Sequence, residues 1–161
     1  MFHMDDSNYT ILLVEDDEND ATLMKMAFEK NKLHNPVQWV RDGLDAVSYL
    51  NGDGQYADRA TYPFPEVLLL DLKMPRMTGL ELLAWINDHP DFRIIPTIIM
   101  TSSRQELDIE QAYNLGANTY MTKPCSFDEL AQMVKVTHEY WACSAKPKAK
   151  RPKKKNEAAG S

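Results

Sequence analysis

Four short apolar runs in this chain each stop at a residue able to do chemistry. Ile11-Leu12-Leu13-Val14 runs into Glu15, Asp16 and Asp17. Val67-Leu68-Leu69-Leu70 runs into Asp71, Ile98-Ile99-Met100 into Thr101, and Tyr120-Met121-Thr122 into Lys123. Two carboxylates about 4 Å apart repel by roughly 4 kcal/mol at an effective dielectric near 20. A divalent cation removes that repulsion. All-oxygen ligation with open water positions suits Mg2+ or Mn2+ rather than zinc. An ammonium at Lys123 and a hydroxyl at Thr101 would complete a receptor for a phosphoryl group. Asp71 ends a buried run and precedes Leu72-Lys73-Met74-Pro75, so it has room to act as nucleophile. Singly these residues are ordinary: a strand-end Asp forms turns, a Thr satisfies backbone, and Lys-Pro is a common loop pair. Their joint placement carries the reading.

That placement depends on the elements that hold them. The runs 9–14, 37–40, 67–71, 96–101 and 118–122 have the composition and length of strands. Between them lie segments with helical spacing. Asn19 to Asn31 places Ala21, Met24, Ala27 and Phe28 on one face. Leu44 to Leu50 is short. Thr78 caps a segment whose Leu80, Leu83, Ala84 and Ile86 are expected to face the core. Ser103 to Leu115 stops at Gly116, and Ser126-Phe127-Asp128-Glu129 opens a last helix running to about Cys143. Asn51 to Pro65 reads as a long loop. Five β–α units in sequence predict an α/β fold: a doubly wound, five-stranded parallel sheet with right-handed crossovers and helices on both faces. In such sheets ligands bind beyond the carboxyl ends of the strands, where all four chemical positions fall.

Composition narrows the setting. The chain has 161 residues and a formal charge of −6, room for one domain and a remainder. No apolar run reaches the roughly 20 residues of a membrane span. No secretion signal opens the chain, and Cys125 and Cys143 have no C-x-x-C partners, so a cytoplasmic setting is expected. The charge is divided. Residues 1–145 hold 11 Lys and Arg against 23 acids, a balance of −12. Residues 146–161 hold seven against one, a balance of +6. The domain expected over 8–143 is thus acidic, which disfavours nucleic-acid binding by the folded part. The basic stretch 144–161 has no large apolar residue and is expected to be disordered. It suits an anionic partner, the acidic body of its own domain, or simple solvation.

The segments Ile11-Leu12-Leu13-Val14-Glu15-Asp16, Leu69-Leu70-Asp71-Leu72-Lys73-Met74-Pro75-Arg76-Met77-Thr78-Gly79, Met100-Thr101-Ser102 and Gly116-Ala117-Asn118-Thr119-Tyr120-Met121-Thr122-Lys123-Pro124 closely resemble, in that order, the receiver domain of bacterial response regulators. The resemblance covers 8–143 and implies a CheY-like, flavodoxin-like sheet of order 2-1-3-4-5. It implies that Asp71 accepts a phosphoryl group from a histidine kinase or a phosphotransfer protein. Mg2+ would be held by Asp16, Asp71 and the Lys73 backbone carbonyl, with Glu15 acting through water and Asp17 the rival in register. Lys123 would pair with the phosphoryl oxygens. Thr101 and Tyr120 would be the switch pair, and a cis bond would precede Pro124. Output would lie on the fourth helix, fifth strand and fifth helix.

Other features refine the resemblance. The long 51–65 segment, Ile94-Ile95-Pro96, Thr101-Ser102-Ser103 and Asp108-Ile109-Glu110-Gln111-Ala112-Tyr113 are similar to the stand-alone regulators that partner phytochrome-type histidine kinases. Lys73 puts a cation beside the acceptor, where it would obstruct or orient hydrolytic water. It also stands where haloacid dehalogenase-type hydrolases carry a second acid, which argues against that class. Nothing after Cys143 has the apolar periodicity of a DNA-binding output, so signalling to a downstream protein target is expected. Tyr140 and Trp141 suit either a homodimer contact or packing back on the domain. The chain resembles a signal receiver that assists its own phosphorylation and hydrolysis, not a metabolic enzyme. A phosphorylation-independent binding module is the alternative.

Overall fold

The structure, a computed structural model, describes residues 9–143. The expected basic tail, 144–161, lies outside the described residues, as does position 8. Along the chain come β1 (Ile11–Val14), α1 (Glu18–Lys30), β2 (Val37–Val40), α2 (Gly43–Asn51), a 3-10 turn (Gly54–Ala57), β3 (Val67–Leu70), α3 (Gly79–Asn87), β4 (Thr97–Thr101), α4 (Glu106–Asn114), β5 (Thr119–Thr122) and α5 (Phe127–Cys143). The five strands form one parallel sheet in the order β2-β1-β3-β4-β5, as the sequence predicts.

Strand alternation sorts the core into two layers. Leu12 and Val14 of β1, Leu68 and Leu70 of β3, and Ile99 of β4 point to the side covered by α2, α3 and α4. Ile11, Leu13, Val67, Leu69, Ile98 and Met100 point to the side covered by α1 and α5. Burial on both faces is why these strands read as unbroken apolar runs. The register pairs Val14 with Leu70. Glu15 and Asp71, one residue further along each strand, therefore emerge side by side.

Local deviations from the sequence reading have physical causes. On α3 the buried stripe is Gly79, Leu82, Leu83 and Ile86, with Leu80 and Ala84 only half-buried. A stripe that begins on glycine has no apolar side chain to announce it. α4 starts three residues later than predicted. Ser103 Oγ bonds the Asp108 carboxylate and accepts from the Gln105 N–H at 3.4 Å, so 103–105 form a turn leading into the helix instead of joining it. The Thr78 cap forms, with its Oγ accepting from the Glu81 N–H at 3.3 Å, and Ser126 does the same for Glu129 at 3.2 Å. The two residues at the end of α5 divide: Trp141 packs against the core, while Tyr140 is 66% exposed.

The long segment before β3 is less loose than its composition implies. Tyr49, Tyr56 and Tyr62 form a ring cluster with centroids 5.0–6.1 Å apart. Arg59 donates to the Leu50 carbonyl at 3.0 Å, and the Tyr49 hydroxyl donates to the Pro63 carbonyl at 2.7 Å. Burial pushes the Tyr49 phenol up to about 12, against the opposing pull of the Arg59 cation. An unfolded tyrosine ionises near 10. The stability gained by keeping this phenol neutral is thus complete below about pH 10 and is lost as pH climbs towards 12. A near-ultraviolet tyrosinate titration is expected to show a late step near pH 12, with that step abolished in Tyr49→Phe.

Candidate functional site

The neighbouring strands β1 and β3 deliver the acids. The Asp71 N–H donates to the Val14 carbonyl at 3.0 Å, and the Glu15 N–H to Val40 at 3.1 Å, so both residues still belong to the ladder. Glu15 and Asp71 are 4% and 7% exposed. Carboxylate oxygens of Glu15, Asp16 and Asp71 lie within 4.8 Å of one another. Asp17 stands apart from this trio. Its carboxylate caps α1, accepting from the N–H groups of Asn19 at 2.8 Å and Asp20 at 3.1 Å.

Lys123 reaches the acids from the end of β5. Its ammonium donates to Glu15 Oε2 at 2.8 Å, Asp71 Oδ2 at 2.9 Å and Asp20 Oδ2 at 2.8 Å. Burial opposes its charge, but the bonds to Asp20, Glu15 and Asp71 outweigh that effect and raise its pKa above the usual lysine value. The Glu15 carboxyl is pushed up to about 7, first by burial and then by Asp71, against the hydrogen bond from Lys123. Three carboxylates, Glu15, Asp20 and Asp71, touch the Lys123 ammonium, and Asp16 joins Glu15 and Asp71 beside it in the metal-competent trio. All available donors are oxygen and the balance is negative, so the set fits a hard divalent cation.

Sequence reasoning did not single out Asp20. An acid in the first turn of a helix reads as a partner for the helix dipole, and nothing local signals that it meets a lysine 103 residues away.

The remaining predicted residues are placed as follows. Thr101 is fully buried at the end of β4, and its carbonyl accepts from the Lys123 N–H at 2.8 Å. Tyr120 is half-buried, and its hydroxyl donates to the Ser103 carbonyl at 2.9 Å. The Lys73 side chain is exposed, and its N–H points to Asp71 Oδ1 at 3.4 Å. The bond before Pro124 departs from the expectation. Among the described residues no peptide bond is cis, so Lys123–Pro124 is trans. Trans is the intrinsically favoured isomer, by about 0.5–1 kcal/mol, and Lys123 meets its acids with it.

The loop after Asp71 is held from two sides. Arg76 adopts a left-handed backbone conformation (φ 65°). Its Nε donates at 2.7 Å to buried Asp42, which also caps α2 by accepting from the Asp45 N–H at 2.9 Å. On the other side Gly79 packs directly on the loop's backbone. Its N–H donates to the Leu72 carbonyl at 2.9 Å, and a Cβ there would collide with the Asp71 carbonyl and come within 2.6 Å of Leu72 Cα.

Residues 11–135 match the model for the response regulator receiver domain, and the chain belongs to that family. Its place is therefore in two-component phosphorelay signalling, in a family that binds divalent metal and in general transduces signals without metabolic catalysis. The chain is 36% identical over 136 residues to Probable methanogenesis regulatory protein FilR2 of Methanothrix harundinacea, covering 83% of each chain. It is 35% identical over 139 residues to response regulator Rcp1 of Synechocystis, covering 85% of this chain and 92% of that one. The structure of Rcp1 in its Mn2+-bound form superposes with a TM-score of 0.76 at 34% identity, covering 86% and 99%. That of the phosphorylated cyanobacterial phytochrome response regulator RcpA gives 0.80 at 35% identity, covering 87% and 99%. Among the described residues no helix is long and apolar enough to cross a membrane.

Because α3 can approach Asp71 only through a residue without a side chain, Gly79→Ala is expected to force helix and loop apart. The cost should be at least about 1–3 kcal/mol, the range for overpacking a filled site. Urea unfolding would register it, and the amide resonances of Asp71 and Leu72 would shift.

Proposed function

We propose that Asp71 accepts a phosphoryl group from a histidine kinase or a phosphotransfer protein, and that the domain then signals through α4, β5 and α5 to a protein target. The observation that carries this reading is the contact of the Lys123 ammonium with Asp71 at 2.9 Å and with Glu15 at 2.8 Å. It sets a fixed positive charge beside a carboxylate that, with Lys123, lines a surface cavity.

The steps assigned to the chain are these. An oxygen of Asp71 attacks phosphorus in line with the phosphohistidine P–N bond. A P–O bond forms, the P–N bond breaks, and the histidine nitrogen leaves with the electron pair. Lys123 gives up its hydrogen bond to Asp71 for the new phosphoryl oxygens. Asp16, Asp71 and the Lys73 carbonyl, with Glu15 acting through water, would hold Mg2+, which would supply charge to offset that of the transferred group. The acyl phosphate adds charge and acceptors, which draw the Thr101 hydroxyl inward and let Tyr120 follow. The output face suits such a shift. α4 buries only Ala112 among its residues and exposes Leu107 and Tyr113, so little packing holds it. α5 exposes Val136 and Tyr140, surface for a target or for a second copy. Residues 8–143 form the receiver unit in this reading.

The kinase is proposed to be of phytochrome type, on the similarity to Rcp1 and RcpA. A cytoplasmic site of action is part of the same proposal. The domain assists the gain and loss of its own phosphoryl group but turns over no metabolite.

Incubation with acetyl phosphate and Mg2+ is expected to add the mass of one phosphoryl group, and Asp71→Asn is expected to abolish the gain. No gain in the unaltered chain would leave the phosphorylation-independent module as the better reading, and a gain that survives Asp71→Asn would move the acceptor elsewhere. The exposed Lys73 ammonium is assigned to obstructing hydrolytic water. Lys73→Ala should therefore lose its phosphoryl group faster than the unaltered chain, in a time course after removal of acetyl phosphate; an unchanged half-life removes Lys73 from that role.

A further inference from the structure

The carbonyl of Glu15 receives a side-chain hydrogen bond that sequence reasoning did not anticipate. Trp39, on the edge strand β2, donates its indole N–H to this oxygen at 2.7 Å. The Glu15 N–H is already engaged by the Val40 carbonyl at 3.1 Å. Both backbone groups of Glu15 are therefore fixed by neighbouring residues of one strand. The peptide plane so held is the one that leads into Asp16. Beyond it, the Asp17 N–H donates to Glu15 Oε1 at 3.1 Å and Asp17 caps α1. Without the indole, the Glu15–Asp16 peptide would have only its next-door turn to orient it.

The ring is itself held. The guanidinium of Arg41 lies 4.5 Å from its centroid, and the ammonium of Lys25 on α1 lies 5.8 Å away. Cations over an indole face are attracted by its quadrupole. The ring also packs partly against the α1–α5 side of the core. A flat, two-torsion side chain clamped in this way keeps its N–H aimed at one point at small entropic cost. A carbonyl acceptor between two carboxylate-bearing residues is an effective place to spend such a donor. It draws off negative charge and fixes how Glu15 and Asp16 project towards Asp71.

We infer that Trp39 is a positioning residue for divalent-cation binding: its indole N–H sets the Glu15–Asp16 peptide so that the two carboxylates meet Asp71 in a metal-competent arrangement. The inference rests on the cation site proposed above. Outer partners that orient metal-binding groups typically alter affinity by about 10–100-fold when removed.

The test is calorimetric titration of Mg2+ alone into the full chain and into two variants, with thermal unfolding in the absence of Mg2+ as a control. Trp39→Phe keeps an aromatic ring and removes the donor. Trp39→Gln removes the ring and keeps an N–H donor on a shorter, flexible stem. Trp39→Phe is expected to bind Mg2+ about tenfold more weakly, and Trp39→Gln to bind more tightly than Trp39→Phe although it unfolds at a lower temperature. A purely packing role predicts the opposite order of affinities. Equal affinity of Trp39→Phe and the unaltered chain, or weaker binding by Trp39→Gln than by Trp39→Phe, overturns the inference while leaving the cation site intact. Failure of the unaltered chain to take up Mg2+ removes the cation site itself, and the role of Trp39 with it.

Discussion

One ammonium among three carboxylates organises the working end of this molecule. Lys123 touches Glu15, Asp20 and Asp71, which arrive from the end of β1, the first turn of α1 and the end of β3. Its own strand, β5, lies at the far side of the sheet from β1, with β3 and β4 between. A long flexible side chain bridges that distance, and its charge is what makes two buried carboxyl groups tolerable so close together. The arrangement is therefore a structural necessity before it is a chemical device. A fold that buries Glu15 and Asp71 must neutralise them, and the neutralising group is then in place for any anion that reaches Asp71.

The two-layer core explains why the cage can be built at all. Every residue of β1 and β3 goes to one layer or the other, and polar side chains follow directly where these two strands leave the sheet. In-register pairing of β1 with β3 makes those exits coincide. Gly79 brings α3 directly under the exit of β3, where any side chain would strike the acceptor's own backbone. Sheet, cage and acceptor loop thus share atoms, and a change in one is felt in the others.

Much of this was legible in the chain. The strand order, the acids at the strand ends and Lys123 came from apolar runs with a polar stop and from a specific resemblance. Other features were not, for reasons rooted in physics. Asp20 and Trp39 act across space through contacts no local pattern encodes: an acid in a first turn and a tryptophan in a strand have adequate local explanations. The phase of α3 was misread because its buried stripe opens on a glycine. The packing of Tyr56 and Tyr62 on Tyr49 of α2 was hidden because both come from a segment rich in turn formers. The trans bond before Pro124 depends on the isomer the whole site selects, which neither Lys nor Pro declares alone.

Arg76 gives the acceptor loop an unusual kind of memory. Its left-handed torsion is one that glycine or asparagine would adopt with less difficulty. Either would surrender the tether to Asp42 and leave that carboxylate facing the start of α2 with only a backbone amide. The torsion at 76 and the charge at 42 therefore bear on one another across a strand, a helix and the long connection between them.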